Sequence, residues 1–246
     1  MKTFKLTIEY DGTDFYGWQM QAKGERTVQG EIENVLSKIF KKRVVLIGSG
    51  RTDSGVHARG QVAHFRVATD MPGWEIQRAL NYNLPPDIVI RKVEETSLRF
   101  HAQYKAKWKT YTYTILNRQH PAALQRSTCY FYPRKLNLGL MRREAKGFIG
   151  KKDFSSFANV DRSRNCGAVR TIRKLDIRRT GDVITFTIEG NGFLYKMVRN
   201  IVGTLLEVAA GRFPPGSVKA MLKKKDRRAA GCAVPSQGLC LEKVTY

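Results

Sequence analysis

The chain has 246 residues, with 44 Lys and Arg against 21 Asp and Glu, a net charge of +23 and a pI near 10.1. Hydrophobic residues at 42% suffice for a core, which excludes a disordered basic tail. No stretch approaches a membrane span and Met1–Tyr10 lacks an apolar h-region, so no membrane-embedded or secreted protein is expected.

Residues 2–10 alternate, with Phe4, Leu6, Ile8 and Tyr10 on one face and Lys5, Thr7 and Glu9 on the other, which predicts a strand. Asp11-Gly12 turns the chain. Val28, Ile32, Val35, Leu36 and Ile39 follow helical spacing behind Thr27, a good N-cap. Strands are expected at 43–48 and 61–68, flanking a Gly-rich loop, then a helix at 74–83 and a strand at 87–94. The second half resembles the first: a strand at 109–116, a helix at 136–149, and a hairpin of 171–179 and 182–190 across Thr180-Gly181-Asp182. An amphipathic helix runs from Leu194 through Val198, Ile201, Val202, Leu205 and Val208, with Lys196, Arg199, Asn200 and Gly203 opposite its apolar stripe. A short helix at 215–224 and a strand at 239–245 follow. This order predicts an α+β protein of two similar subdomains, 1–105 and 106–246, each a largely antiparallel sheet covered by helices, with a basic active-site cleft between them.

The charge attracts polyanions, nucleic acid first and an anionic membrane surface second. Residues 99–113 interleave Arg99, Lys105, Lys107 and Lys109 with Phe100, Tyr104, Trp108, Tyr111 and Tyr113, the pattern unstacked nucleotides need. Tyr111 and Tyr113 share one strand face, so one suits the core and the other a binding surface. Residues 162–179 carry Arg162, Arg164, Arg170, Arg173, Lys174, Arg178 and Arg179, read as phosphate-tracking, whereas 223–228 (KKKDRR) reads first as a solvated run and second as a source of non-specific affinity in the same basic field. Cys129, Cys166, Cys232 and Cys240 form no CxxC pair and are expected as reduced thiols in a cytoplasmic protein.

The run GRTDSGVHARGQ at 50–61 places one acid, Asp53, among cations and glycines. An Asp in such a turn commonly bonds only its own backbone. On a surface built for a polyanion, however, a carboxylate opposes binding and so suggests chemistry. Should the helix from Leu194 pack under this loop, Arg199 becomes an ion-pair partner that keeps Asp53 ionised; otherwise it is a surface cation. Asp53, His57 and His64 match no standard metal-ligand spacing.

Together with YDG…GWQ at 10–19, TVQ at 27–29, NYNLPPDI at 81–88, FHA at 100–102, 153–157, FLYKMVRNIVG at 193–203 and the closing 238–246, GRTDSGVHARGQVAHF at 50–65 resembles the TruA family of tRNA pseudouridine synthases over nearly the whole chain. The resemblance implies that Asp53 is the catalytic aspartate, Tyr111 stacks on the target base, Arg51 helps hold the nucleotide out of its helix, and Arg199 pairs with Asp53. It implies a cytoplasmic homodimer that isomerises uridines 38, 39 and 40 of the tRNA anticodon stem-loop without metal or organic cofactor. An ionised Asp53 serves such a reaction as nucleophile or as charge stabiliser. The competing readings are a non-catalytic basic RNA-binding protein and a metal-dependent nuclease using Asp53, His57 and His64.

Overall fold

The computed structural model describes residues 1–22, 24–160 and 167–246. Arg162, Arg164 and Cys166, singled out above, lie outside the described residues. The chain has an α+β architecture and divides into two units, Met1–Lys107 with Cys240–Tyr246, and Trp108–Leu239.

In the first unit β1 (Lys2–Tyr10) follows the alternation, with Phe4, Leu6, Ile8 and Tyr10 all buried. It pairs antiparallel with β3 (His57–Val67) on one side and β4 (Ile88–Thr96) on the other. Helix α1 (Val28–Phe40) starts at the expected cap, the Thr27 hydroxyl accepting the Gly30 N–H at 3.2 Å. Its buried Val28, Ile32, Val35 and Leu36 each contribute about 1.5–3 kcal/mol relative to exposure. Helix α2 (Gly73–Asn83) lies against β4, where the Asn81 side chain accepts the Ile90 N–H at 2.7 Å and donates to the Ile90 carbonyl at 2.9 Å.

Two expectations change here. Of 43–48, only β2 (Ile47–Gly48) is strand, although Val44 and Leu46 are buried and Val45 is exposed as an alternating pattern requires. The reason is where the backbone bonds go. Leu46 N–H donates to Glu33 at 2.8 Å, the Leu46 carbonyl accepts from Gln29 at 3.1 Å, and Val44 N–H donates to the Ser37 hydroxyl at 3.3 Å. Side chains of α1 take the place of a neighbouring strand. Conversely, β3 begins at His57 rather than 61, because β10 (Leu239–Thr245) pairs parallel with it through Cys240–His57 and Leu241–Ala58. A Cβ on Gly60 would stand 2.4 Å from the Glu242 carbonyl oxygen, so that contact needs glycine. The same pairing places the last strand with the first unit rather than with the preceding residues.

The second unit is an antiparallel sheet in the order β5 (Trp108–Leu116), β9 (Val183–Gly190), β8 (Val169–Thr180) and β7 (Gly150–Asp153), with β6 (Tyr130–Phe131) parallel to β5. Ile184, Phe186 and Ile188 fill one face of β9, as read from the hairpin pattern. The helix expected over 136–149 is shorter: α3 (Leu138–Ala145), capped by Asn137, passes into a 3-10 turn at Lys146–Phe148, and β7 follows at Gly150 with φ +101°. Helix α4 (Met197–Ala209) begins after Lys196, at φ +57°, and α5 is Ser217–Lys224.

Candidate active site

The Asp53 loop is shaped by close backbone packing in the first unit. Gly17, at φ +91°, brings its α-carbon so near the loop that a Cβ would lie 2.6 Å from Thr52 O and 3.1 Å from the Asp53 carbonyl carbon. A Cβ on Gly12 would lie 2.1 Å from Val56 O. The N-terminal YDG and GW segments are therefore the walls against which the loop is cast, and only glycine admits that approach. Hydrogen bonds fix the same arrangement. Trp18 N–H donates to Thr52 O at 3.1 Å, Gly55 N–H to Phe15 O at 3.3 Å, and the Ser54 hydroxyl to Phe15 O at 3.1 Å. Asp53 itself opens a turn in which its carbonyl accepts the Val56 N–H at 3.2 Å and Gly55 takes φ +74°. Below it, the buried Thr52 hydroxyl meets Tyr10 OH at 2.8 Å, and burial pushes that phenol well above its ordinary value. At the other end of the loop, the buried Gln61 amide accepts from the Ser49 hydroxyl at 2.7 Å and donates to Gly50 O at 3.0 Å.

Arg51 is exposed at the mouth of this loop and is held by a chain of amides reaching back into the core. Its Nε donates to Gln19 Oε1 at 3.2 Å, Gln19 Nε2 donates to Gln29 Oε1 at 2.7 Å, and Gln29 Nε2 donates to Glu33 Oε1 at 2.8 Å. Each amide's orientation is set by its partners, since Gln29 Oε1 also accepts the Met20 N–H at 3.1 Å. Sequence reasoning placed Gln19 and Gln29 in motifs and gave them no role. The signal for Gln29 was a polar residue on the buried face of α1; Gln19, half-buried in the GWQ segment, carried no such signal.

Tyr111 and Arg199 belong to the second unit. Tyr111 lies on β5 opposite Ile188, is 8% exposed, and meets Phe193 edge-on at 5.2 Å. Tyr113, two residues on, is the core member of the pair: fully buried, it donates its hydroxyl to Pro235 O at 2.8 Å. Arg199, in the first turn of α4, donates Nε to Val234 O at 2.7 Å while Val234 N–H returns a bond to Arg199 O at 3.2 Å. The face of α4 expected to be polar is in fact covered. Asn200, Gly203 and Thr204 are buried, and a Cβ on Gly203 would lie 1.8 Å from Cys232 O, so the 231–234 segment rests on the helix backbone. Arg227 is likewise no solvated cation: its Nη2 donates to Asn200 Oδ1 at 2.7 Å and to Gly231 O at 2.8 Å. Within the basic 162–179 stretch, Arg173 pairs with Glu189 at 2.7 Å and lies over the Trp108 ring at 4.4 Å, and Arg178 pairs with Asp176 at 2.7 Å.

The two histidines weighed as metal ligands each turn Nδ1 to a backbone amide, His57 to Gly12 N–H at 3.0 Å and His64 to Ala102 N–H at 3.2 Å. Burial, reinforced by His101 and Arg66, pulls His64 from 6.5 down to about 4, so it is neutral at physiological pH. Among the described residues, no group of three His, Cys, Asp or Glu is placed to hold a metal ion, and no helix is long and apolar enough to cross a membrane.

Comparison with known proteins extends the motif evidence over the whole chain. A family profile described as tRNA pseudouridine synthase matches residues 6–105 and 145–246. The chain is 46% identical over 246 residues to tRNA pseudouridine synthase A 2 of Clostridium perfringens, and 46% identical over 246 residues to tRNA pseudouridine synthase A of Clostridium acetobutylicum, in both cases covering 100% of each chain. The chain belongs to the TruA family of tRNA pseudouridine synthases. A tRNA pseudouridine synthase A 2 of Bacillus cereus is 39% identical, again over 100% of both chains.

Proposed function

We propose that this chain isomerises uridine to pseudouridine in tRNA, at positions 38, 39 and 40 of the anticodon stem-loop. The observation that carries the reading is the full-length similarity to synthases of that name, joined to a rigidly walled loop presenting Asp53. The reaction breaks the bond from ribose C1′ to uracil N1, rotates the base, and joins C1′ to C5. The proton leaves C5 and one is gained at N1, so product and substrate are isomers and nothing is consumed. In this proposal Asp53 is the catalytic carboxylate. Arg51, held through Gln19, helps keep the target nucleotide out of its stack, and Tyr111 supplies the stacking the base loses on flipping. Arg199 is the cation that keeps Asp53 ionised. The net charge of +23 supports an RNA held by its phosphates. We further propose a cytoplasmic homodimer needing neither metal nor organic cofactor.

The test is direct. Purified protein is incubated, without metal or cofactor, with unmodified tRNA carrying labelled uridines in the anticodon arm, and the digested RNA is assayed for pseudouridine. Wild type is expected to form it, and Asp53→Ala to bind tRNA but form none. Tight binding with no product from either protein would favour a non-catalytic RNA-binding protein. Cut RNA that is spared by chelator would favour the metal-dependent nuclease.

A further inference from the structure

A cavity of about 440 Å³ opens in the second unit, and its described lining includes none of the residues assigned a role above. Its lining includes Lys146 from the 3-10 turn after α3, Lys152 from β7, and Lys219 and Lys223 from α5. Lys219 and Lys223 are four apart in sequence and so stand on one face of the helix. The carboxylate in the lining, Asp153, is already engaged. Its Oδ1 accepts from Ser155 N–H at 2.9 Å and Ser155 Oγ at 2.6 Å, and its Oδ2 lies 3.1 Å from Lys225 Nζ. Those bonds, the Ser155 hydroxyl first, hold it below the usual carboxylate range. None of the four lysines forms an ion pair with a described residue. Four like charges thus line one cavity, and the carboxylate among its described lining residues is already bonded to Ser155 and Lys225.

The frame beneath them is firm. A Cβ on Gly147 would lie 2.9 Å from Val218 Cγ1, so glycine lets the 3-10 turn sit directly on α5. Glu144 caps α5, accepting Gly216 N–H at 2.7 Å and Val218 N–H at 3.3 Å, and so occupies the N-terminus that an anion would otherwise use. The Ser156 hydroxyl, in the 3-10 turn Ser155–Phe157 that follows β7, donates to Met221 O of α5 at 2.6 Å. The four lysines accordingly line one opening, and an anion entering there relieves their mutual repulsion.

We propose that this cavity binds phosphate groups of the RNA backbone, as a sequence-independent contact in the second unit. Among the described residues the lining supplies lysines and no arginine, which suits point-charge contact with phosphate rather than bidentate recognition of one small ligand. The inference also gives Lys223, read from sequence in a solvated run with a second reading of non-specific affinity, a defined place of contact. It rests on the reading that the substrate is tRNA.

The experiment compares wild type with the quadruple variant Lys146→Gln, Lys152→Gln, Lys219→Gln, Lys223→Gln, measuring tRNA affinity from 50 to 200 mM salt. Each lost phosphate contact lowers the slope of log affinity against log salt by about 0.7–0.9. Over that salt range the wild-type affinity should therefore fall roughly 50- to 150-fold more than the variant's. The matching Lys→Arg quadruple should keep the wild-type slope, which separates lost charge from lost folding. A control that removes Lys135, Lys151 and Lys224 as Gln tests net charge alone; an equal change per lysine there overturns the proposal. So does an unchanged slope in the quadruple variant. Calorimetry with inorganic pyrophosphate at constant ionic strength adds the second source of phosphate: binding abolished in the quadruple variant, with the tRNA slope unaltered, assigns the cavity to a free phosphate ligand and overturns the RNA assignment. Wild type that binds tRNA but forms no pseudouridine would sink the proposed activity while leaving this slope measurement intact.

Discussion

Gly17→Ala isolates the physical demand of the Asp53 loop. Gly17 sits at φ +91°, and an added Cβ would lie 2.6 Å from Thr52 O and 3.2 Å from Ser54 N. The left-handed backbone costs an alanine about 1–2 kcal/mol, partly offset by the stiffer unfolded chain at about 0.4–1 kcal/mol. Relieving the clash requires Thr52 O to move, and that oxygen accepts the Trp18 N–H at 3.1 Å. Losing this bond adds about 1 kcal/mol, and residual crowding about as much again, for a total of roughly 2–3 kcal/mol. Gly181→Ala is the control. Gly181 has φ +57° with nothing within 4 Å, so it carries the backbone term alone, about 1 kcal/mol or less. Both are measured by urea unfolding, alongside pseudouridine formation. Because the shifted carbonyl adjoins Asp53, Gly17→Ala should also lower kcat/KM about 10- to 100-fold with tRNA affinity retained, whereas Gly181→Ala should turn over normally. Equal stability losses and equal turnover in the two variants would refute the argument that the close approach shapes the loop.

Three further outcomes are expected. Gln19→Ala should lower kcat/KM about tenfold by loosening Arg51, and Gln19→Ala combined with Arg51→Ala should be no worse than Arg51→Ala alone; additive losses would show that Gln19 does not act through Arg51. Tyr113→Phe removes the hydroxyl that donates to Pro235 O and should cost about 1–2 kcal/mol in urea unfolding, a loss that a wild-type midpoint would contradict. His64 binds its proton more weakly folded, at about 4, than unfolded, near 6.5. Its contribution to stability is therefore complete above pH 6.5 and is lost as pH falls toward 4. Unfolding midpoints across that window should fall less in His64→Gln, whose amide oxygen can still accept the Ala102 N–H; parallel curves would reject the assignment.

The local patterns carried much of this protein. Alternation in β1 named its buried face, Thr27 marked the start of α1, and Thr180-Gly181-Asp182 marked the hairpin, because each depends on residues near in sequence. The Asp53 motif was legible for a similar reason: its residue types stand consecutively, and the family resemblance rests on them. Glycine positions were visible but not their cause, since the carbonyls crowding Gly17, Gly60 and Gly203 come from residues far along the chain.

Sequence by itself determined which side of each element is apolar, where its ends are marked, and which carboxylate stands alone among cations. Only the tertiary structure decided which groups satisfy each backbone N–H and carbonyl. That choice made residues 43–46 a segment bonded to α1 side chains, made His57–Gly60 a strand, buried Asn200, and took Arg227 out of solvent. Hydrophobic burial follows a periodicity written along the chain, whereas a hydrogen bond needs one particular partner, and here those partners arrive from distant segments.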